Sequence, residues 1–555
     1  MIVPGSANAL LLASLAGYQI PYSLRFRAAN SAYLSRTSGA SPTSKRTFTY
    51  SAWIKAAPSL SSSTQIALVS SSANNGIIGW NITSFGGRLF IRNDATNDIQ
   101  FTGLFRDPSA WGHLVVAIDT TQATASDRVK VYWNGTAMTY LSGTYPSLNY
   151  DSYLNAASTA YRIMSDTVSG TYVDGYLSEM NFIDGQALTP SSFGQTDSAT
   201  GVWVAKKYSG TYGNNGFYLK FADATSTTTI GNDSSGNANN FTTSGISVTS
   251  GVTFDQMTDT PTLNYAVWSA IDKASVTVSE ANMAAVPATD VQAIRATVAM
   301  PATGKWYWEV TVSALGYGTG LGIADNASNL VTGASSAATR TYQFGSWFNS
   351  FNSGINQFGT NQAITSGANW TGASQPAAND IIIVAVDMDN GSMWVGKNGT
   401  WFNSSGTANP ATNTDPRWTG LSGTTWFPYM AGYGSVTPVT CRINFGQRAF
   451  AYTPPSGFKA LNTQNVTSAA VTVSGSFTGN AAADGPFIWA NGNPATLTIN
   501  GNAVTFGTHA DKTAGGFKLR SSSASYNASG SNSWTATAGQ RFVQSKKPNN
   551  SQVNP

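Results

Sequence analysis

Charged residues make up only 10% of this 555-residue chain, against roughly 25% in an ordinary soluble protein. Histidine occurs at His113 and His509 alone, cysteine only at Cys441, and glutamate only at Glu179, Glu280 and Glu309. One cysteine excludes an internal disulfide framework and a multi-cysteine zinc site. Scarcity of His, Cys and Glu removes most of the usual general bases and metal ligands, so enzyme classes start at a disadvantage. The formal charge of +4 is small for this length and argues against a nucleic-acid partner. No segment reaches the ~18 consecutive apolar residues of a membrane span. The apolar stretch Ala7–Tyr18 has no Lys or Arg ahead of it. We therefore read residues 1–22 as a retained docking segment rather than a signal peptide.

What replaces charge is Ser, Thr, Asn and Gly, while the hydrophobic share stays at 41% and aromatics reach 12% with 16 Trp. That is ample core material for a folded chain with a neutral, hydrogen-bonding surface. The length is enough for three or four domains.

Strand patterns run throughout. Phe48, Tyr50, Ala52 and Ile54 share one face at period two. The segments 111–119 and 128–137 follow, the second with Asn134-Gly135 as a hairpin turn. Tyr176, Ser178, Met180 and Phe182 continue the alternation in 172–188. Further on, Trp306, Trp308 and Val310 alternate. Ile381 to Val386 form a run suited to a strand buried on both faces. Asp389-Asn390-Gly391 and Asn398-Gly399 turn it into a three-stranded meander ending at Trp401. The expectation is an all-β chain of several β-sandwiches.

The order of "T-x-S-x-W-I-K", "W-x-H-L", "V-Y-W-N-G" and "G-x-L-S-E-M-x-F" in the first third resembles the concanavalin A-like, laminin-G-like jelly roll. The "G-K-W-Y-W-E-V" strand, the "L-G-I-A" strand, the 380–401 meander and "N-F-G-Q" at 444–447 resemble a SPRY domain. The expected divisions are 1–22 (docking segment), 23–260 (jelly roll with trailing loops), 261–461 (SPRY-like sandwich) and 462–555 (small C-terminal β-domain with extended tail). In combination they resemble surface proteins of tailed phages, of tail-fibre, head-fibre or decoration type. That resemblance implies a non-enzymatic virion protein, assembled in the host cytoplasm and displayed on the particle, whose lectin-like domains recognise a host surface or glycan; a mainly structural decoration role is the alternative and a polysaccharide depolymerase the weaker one. Its implied partners are other virion proteins, further copies of itself, and a host-surface glycan or receptor.

Three groups of residues stand out as candidate sites. Tyr342, Trp347, Phe348 and Phe351 lie in an aromatic insert, where rings could stack on sugar or cover the end of the sandwich. Asp233, Asn237 and Asn239 supply oxygens that could hold calcium, or order a loop through their own backbone. Glu179 and Asp184, five residues apart on one strand, are expected on opposite faces, with Glu179 solvated. A glucanase on this fold would show an E-x-D-x-x-E strand, and the chain has none. His113 reads as a structural imidazole, Cys441 as a buried small hydrophobe, and Trp370, Trp401 and Trp418 as core or rim.

Overall fold

The computed structural model describes residues 17–331 and 377–466 apart from short loop segments, and beyond these only strand segments between 341 and 362 and between 471 and 546. Among the described residues the regular elements are strands and single-turn 3-10 segments; the all-β expectation holds. No helix there is long and apolar enough to cross a membrane. The chain forms two compact units. The smaller is chiefly Thr467–Pro555 and contains a four-stranded and a three-stranded sheet. The larger, built mainly from Tyr18–Gln195 and Ala205–Val466, contains two β-sandwiches.

The first sandwich stacks two eight-stranded sheets. At the centre of one, Thr47–Ala56 lies between Gly112–Asp119 and Gly175–Asp184, all antiparallel. Phe48, Tyr50, Ile54, Leu114, Val116 and Ile118 meet Val69, Ile78, Leu89 and Ile91 of the other sheet in one core. Each such side chain contributes roughly 1.5–3 kcal/mol by leaving water. The expected alternation fails at one point. Ser178 pairs with Trp53, but the next pair is Asn181 with Ser51, so Glu179 and Met180 together oppose Ala52. This β-bulge shifts every later residue by one. Met180 and Phe182 therefore enter the core, whereas Tyr176 and Ser178 face away from it. Glu179 carries the strain, with φ of +50°, a region an L-residue with a long side chain seldom occupies.

The second sandwich pairs a five-stranded with a seven-stranded sheet. Ile381–Asp387 lies between Lys305–Val312 and Ser392–Lys397. Ile382, Val384 and Val386 join the main core with Trp306 and Trp308. Ile383 and Ala385 pack on the opposite face with Tyr307, Trp394 and Phe458, which is why this run has no polar alternation. Asn398 and Gly399 both have positive φ, as do Asn134 and Gly135; these are the primed turns that match strand twist. At the first meander turn only Gly391 has positive φ, and Asp387 caps the turn through the backbone N–H groups of Asp389 and Asn390.

Polar groups hidden from water join the two sandwiches. Lys55 Nζ donates to Asp259 Oδ2 at 2.7 Å and to Asn264 Oδ1 at 2.8 Å, and Trp111 Nε1 donates to the other Asp259 oxygen at 2.9 Å. Tyr176 donates its hydroxyl to the carbonyl of Ala281. That carbonyl is presented by three successive left-handed residues, Glu280, Ala281 and Asn282. Thr258 N–H donates to the Gln447 carbonyl.

Candidate functional site

The bulge turns Glu179 outward from the core, yet the residue is only 6% exposed. The expectation of a solvated Glu179 is thus corrected: the extra residue of the bulge places it beneath a roof of tyrosines. Tyr218 donates its hydroxyl to Glu179 Oε1 at 2.5 Å. The Tyr18 hydroxyl lies 3.1 Å from that of Tyr218 and within reach of the carboxylate, so its one proton can serve either oxygen. Burial raises the Glu179 carboxyl above its ordinary value, against the opposing pull of both tyrosines and of Lys220 and Lys207. The Tyr18 hydroxyl is pushed up to about 12 by burial and by the charge of Glu179.

A file of rings crosses the outer face of the same sheet and ends at this carboxylate. Trp53 stacks on His113 at 4.8 Å between centroids, and His113 leans on Phe193. Phe193 stacks on Tyr208 at 5.1 Å, Tyr208 meets Tyr212 edge-on at 5.2 Å, and Tyr212 lies parallel to Tyr218 at 6.3 Å. The file is sealed at its His113 end. It emerges at Tyr208 and Tyr212, which are half-buried, with Lys207 and Lys220 exposed nearby. Tyr212 is fixed by its hydroxyl on Asn181 Oδ1 and by its carbonyl, which accepts from Asp184 N–H. Gly213 follows at φ of +72°, and a Cβ there would collide with the Asp184 carbonyl. The close approach that sets Tyr212 thus requires glycine.

Asp184, the other half of the expected acidic pair, is committed to structure. Its oxygens accept from the N–H groups of Thr43, Ser44 and Asn215 and from Asn155 Nδ2. His113 is fully buried, shares a hydrogen bond with Ser51 Oγ at 2.9 Å and is pushed down to about 3 by burial. Burial likewise pushes the Cys441 thiol up to about 12.

Asp233, Asn237 and Asn239 do come together, but as a hydrogen-bonded loop. Asp233 accepts from the N–H groups of Tyr218, Ser235 and Asn239 and from Ser235 Oγ. Asn237 and Asn239 both turn their Nδ2 groups onto the Gly216 carbonyl. One carboxylate with its oxygens so occupied, flanked by amides presenting N–H, does not fit a calcium ion, which takes 6–8 oxygens. Of the aromatic insert, Trp347, Phe348 and Phe351 lie outside the described residues. Tyr342 stands on the strand Thr341–Gly345, whose backbone pairs Tyr342 with Ile323.

Sequence reasoning passed over the Glu179 cluster because Tyr18, Glu179 and Tyr208–Tyr218 are far apart in the chain. One signal was available. Three tyrosines, Tyr208, Tyr212 and Tyr218, fall within a stretch otherwise rich in Gly, Asn and Lys.

Residues 28–192 match the model of the concanavalin A-like lectin/glucanases superfamily, and this match covers most of the first sandwich. No curated protein matches the chain. Among solved structures, the SPRY domain of human HERC1 is similar at 13% identity, with 32% of this chain and 96% of that one covered and a TM-score of 0.24. A native heptameric SAP-like pentraxin from Limulus polyphemus is similar at 17% identity, over 31% and 80% of the two chains, with a TM-score of 0.24. Domain 4 of AbnA, a GH43 extracellular arabinanase from Geobacillus stearothermophilus, solved in complex with arabinotriose, is similar at 18% identity, over 26% and 64%, with a TM-score of 0.20.

Proposed function

We propose that this chain is a non-enzymatic glycan-binding protein and that the tyrosine platform beside Glu179 is its sugar site. The observation that carries the reading is the file of rings surfacing at Tyr208 and Tyr212 on a concanavalin A-like sandwich. A sugar ring offers an apolar face to stack on these rings and hydroxyls to bond with the phenol oxygens. Lys207 and Lys220 supply donors at the rim. Retaining and inverting glycosidases generally need two carboxyl groups flanking the bond. Here Glu179 is covered by Tyr18 and Tyr218, and Asp233, which acts on Tyr212 electrostatically, is committed to its own loop. Binding without cleavage is the chemistry this arrangement supports.

The setting we propose is the surface of a phage particle, as tail fibre, head fibre or decoration, in several copies and anchored to other virion proteins through residues 1–22. The support is the resemblance of the domain combination, together with a chain nearly free of charge.

A glycan array probed with the full chain tests the site. Tyr212→Ala and Tyr208→Ala are each expected to weaken binding of the recognised glycan tenfold or more, about 1.4 kcal/mol, while the protein stays folded. Binding unchanged in both variants, or no glycan bound by the wild type, would sink the reading. Release of reducing sugar from host polysaccharide would overturn the non-enzymatic part. Labelling intact particles separates a shell position from a tail position, and absence from particles refutes the setting.

A further inference from the structure

Three arginines are buried at the junction between the two sandwiches. Arg25, Arg27 and Arg448 are 0%, 4% and 6% exposed. Arg25 Nε and Arg27 Nε share a single acceptor, Asp255 Oδ1, each at 2.9 Å. Arg25 Nη2 donates to the Val252 carbonyl at 2.9 Å, and Arg448 Nη1 reaches the same oxygen at 3.2 Å. Two guanidinium groups, one from each sandwich, therefore converge on one carbonyl. Arg25 Nη1 is buried and has no hydrogen-bond partner among the described residues.

The nearby carboxylates are engaged with other donors: Asp259 holds Lys55 and Trp111, and Asp174 accepts from Ala28 N–H. Asp255 already serves Arg25 and Arg27. Glu280 acts on all three arginines from farther off, but Arg442 holds it through three contacts of 2.6–3.0 Å. Glu309 also acts on Arg448 at range, yet its oxygens accept from Ala451 N–H, Tyr452 N–H and the Tyr307 hydroxyl. Guanidinium does not shed its proton in proteins, and a buried donor left without an acceptor is destabilising. Burial, and after it the charge of Arg25, push Arg448 down to about 9, so the two guanidinium groups lie close enough to repel.

We propose that a small inorganic anion, chloride or a tetrahedral oxyanion such as sulfate or phosphate, binds between the sandwiches against Arg25 Nη1 and the Arg448 guanidinium. It supplies an acceptor for Arg25 Nη1 and a negative charge between two guanidinium groups that share one carbonyl, and so locks the two sandwiches together. The proposal is independent of the sugar site, which lies elsewhere on the first sandwich.

Thermal unfolding of the full chain at constant ionic strength tests it, with chloride, sulfate or phosphate replacing gluconate, which is too bulky for a buried site. The expected result is a saturable rise in Tm of about 2 °C or more, and the anion with the lowest midpoint identifies the preferred ligand. Arg448→Met keeps the apolar stem and removes one guanidinium of the site. It should abolish the saturable rise, whereas a general salt effect on surface hydration persists in both proteins. Equal Tm in all anions, or a rise retained in Arg448→Met, overturns the proposal. A wild-type crystal soaked with the heavy analogue of the preferred anion (bromide for chloride, selenate for sulfate, arsenate for phosphate) gives a second readout that needs no variant. An anomalous peak within hydrogen-bond reach of Arg25 Nη1 supports the site, and a junction without one overturns it.

Discussion

Glu179 in the first sandwich and Glu309 in the second are both nearly inaccessible, at 6% and 3% exposure, and both sit beside a tyrosine hydroxyl on a central strand. Their surroundings differ. Glu309 stands in regular register between Ile383 and Asn444, and its carboxylate staples the segment at Ala451 and Tyr452 through two backbone N–H groups. Glu179 stands in a bulge with left-handed backbone, and its side-chain partners are phenol groups at the edge of a half-exposed platform. A carboxylate answered by backbone donors on an unstrained strand is part of the framework. One held by side chains at a strained position is free to exchange those partners, and strain of that kind clusters at functional sites. The same residue type is thus fastened to the framework in one sandwich and held beneath a half-exposed platform in the other.

Alanine at each position tests this contrast most forcefully. Glu309→Ala leaves two backbone donors and the Tyr307 hydroxyl without their acceptor, at a cost of roughly 1–3 kcal/mol for each group that stays dry, so about 4 kcal/mol in all is expected. Glu179→Ala leaves Tyr18 and Tyr218 able to bond each other and removes a buried charge, so its loss should stay below about 1 kcal/mol. Urea unfolding of the two variants decides the matter. Equal losses would break the comparison.

A second test uses the histidine of the first sandwich, since His509 lies outside the described residues. Burial holds His113 at about 3 against an ordinary value of 6.5. The unfolded chain therefore takes up a proton that the folded chain refuses as pH falls below 6.5. Stability is full above that value and declines by about 1.4 kcal/mol per pH unit down to about pH 3. In the second sandwich Asp387 and Asp380 are held below their ordinary values despite partial burial, by hydrogen bonds and by Lys305 and Lys397. Their contribution is lost only below about pH 4. As pH falls from 6, hydrogen exchange corrected for its intrinsic pH dependence should accelerate first in the strands around His113, and in Ile381–Asp387 only below about pH 4. Acceleration in the reverse order would refute the assignment.

These contrasts show how far sequence reaches. Strand grammar, the primed turns at Asn134-Gly135 and Asn398-Gly399, and the doubly buried run from Ile381 were legible because period and turn chemistry are local properties. The bulge was not. One inserted residue leaves the alternation of 176, 178, 180 and 182 intact on paper while reversing which of them face the core. The platform was hidden for a different reason, because Tyr18 and Tyr218 are brought to one carboxylate by strand pairing across 200 residues. The loop of Asp233 was legible as polar and Asx-rich. Its donors and acceptors, satisfied by one another, became apparent only with the backbone in place.

The smallest expected effect isolates Glu179 itself. Its carboxyl is raised by burial, so the folded chain holds that proton at a pH where the unfolded chain has released it. Below the ordinary value of 4.5 the two states are alike and the group costs nothing. As pH rises through the interval up to the raised value the folded state loses stability, and above it the full cost remains. This sign is opposite to that of His113 in an overlapping range, so the wild-type profile alone cannot separate them. Glu179→Gln can, because amide and carboxyl have the same shape and only one titrates. The stability of the variant relative to wild type should increase from pH 4 to pH 7, by an amount moderated by the two tyrosines and by Lys207 and Lys220. A difference that stays flat over that range would place the Glu179 carboxylate in an environment no drier than water, and the distinction between it and Glu309 would then rest on hydrogen bonding alone.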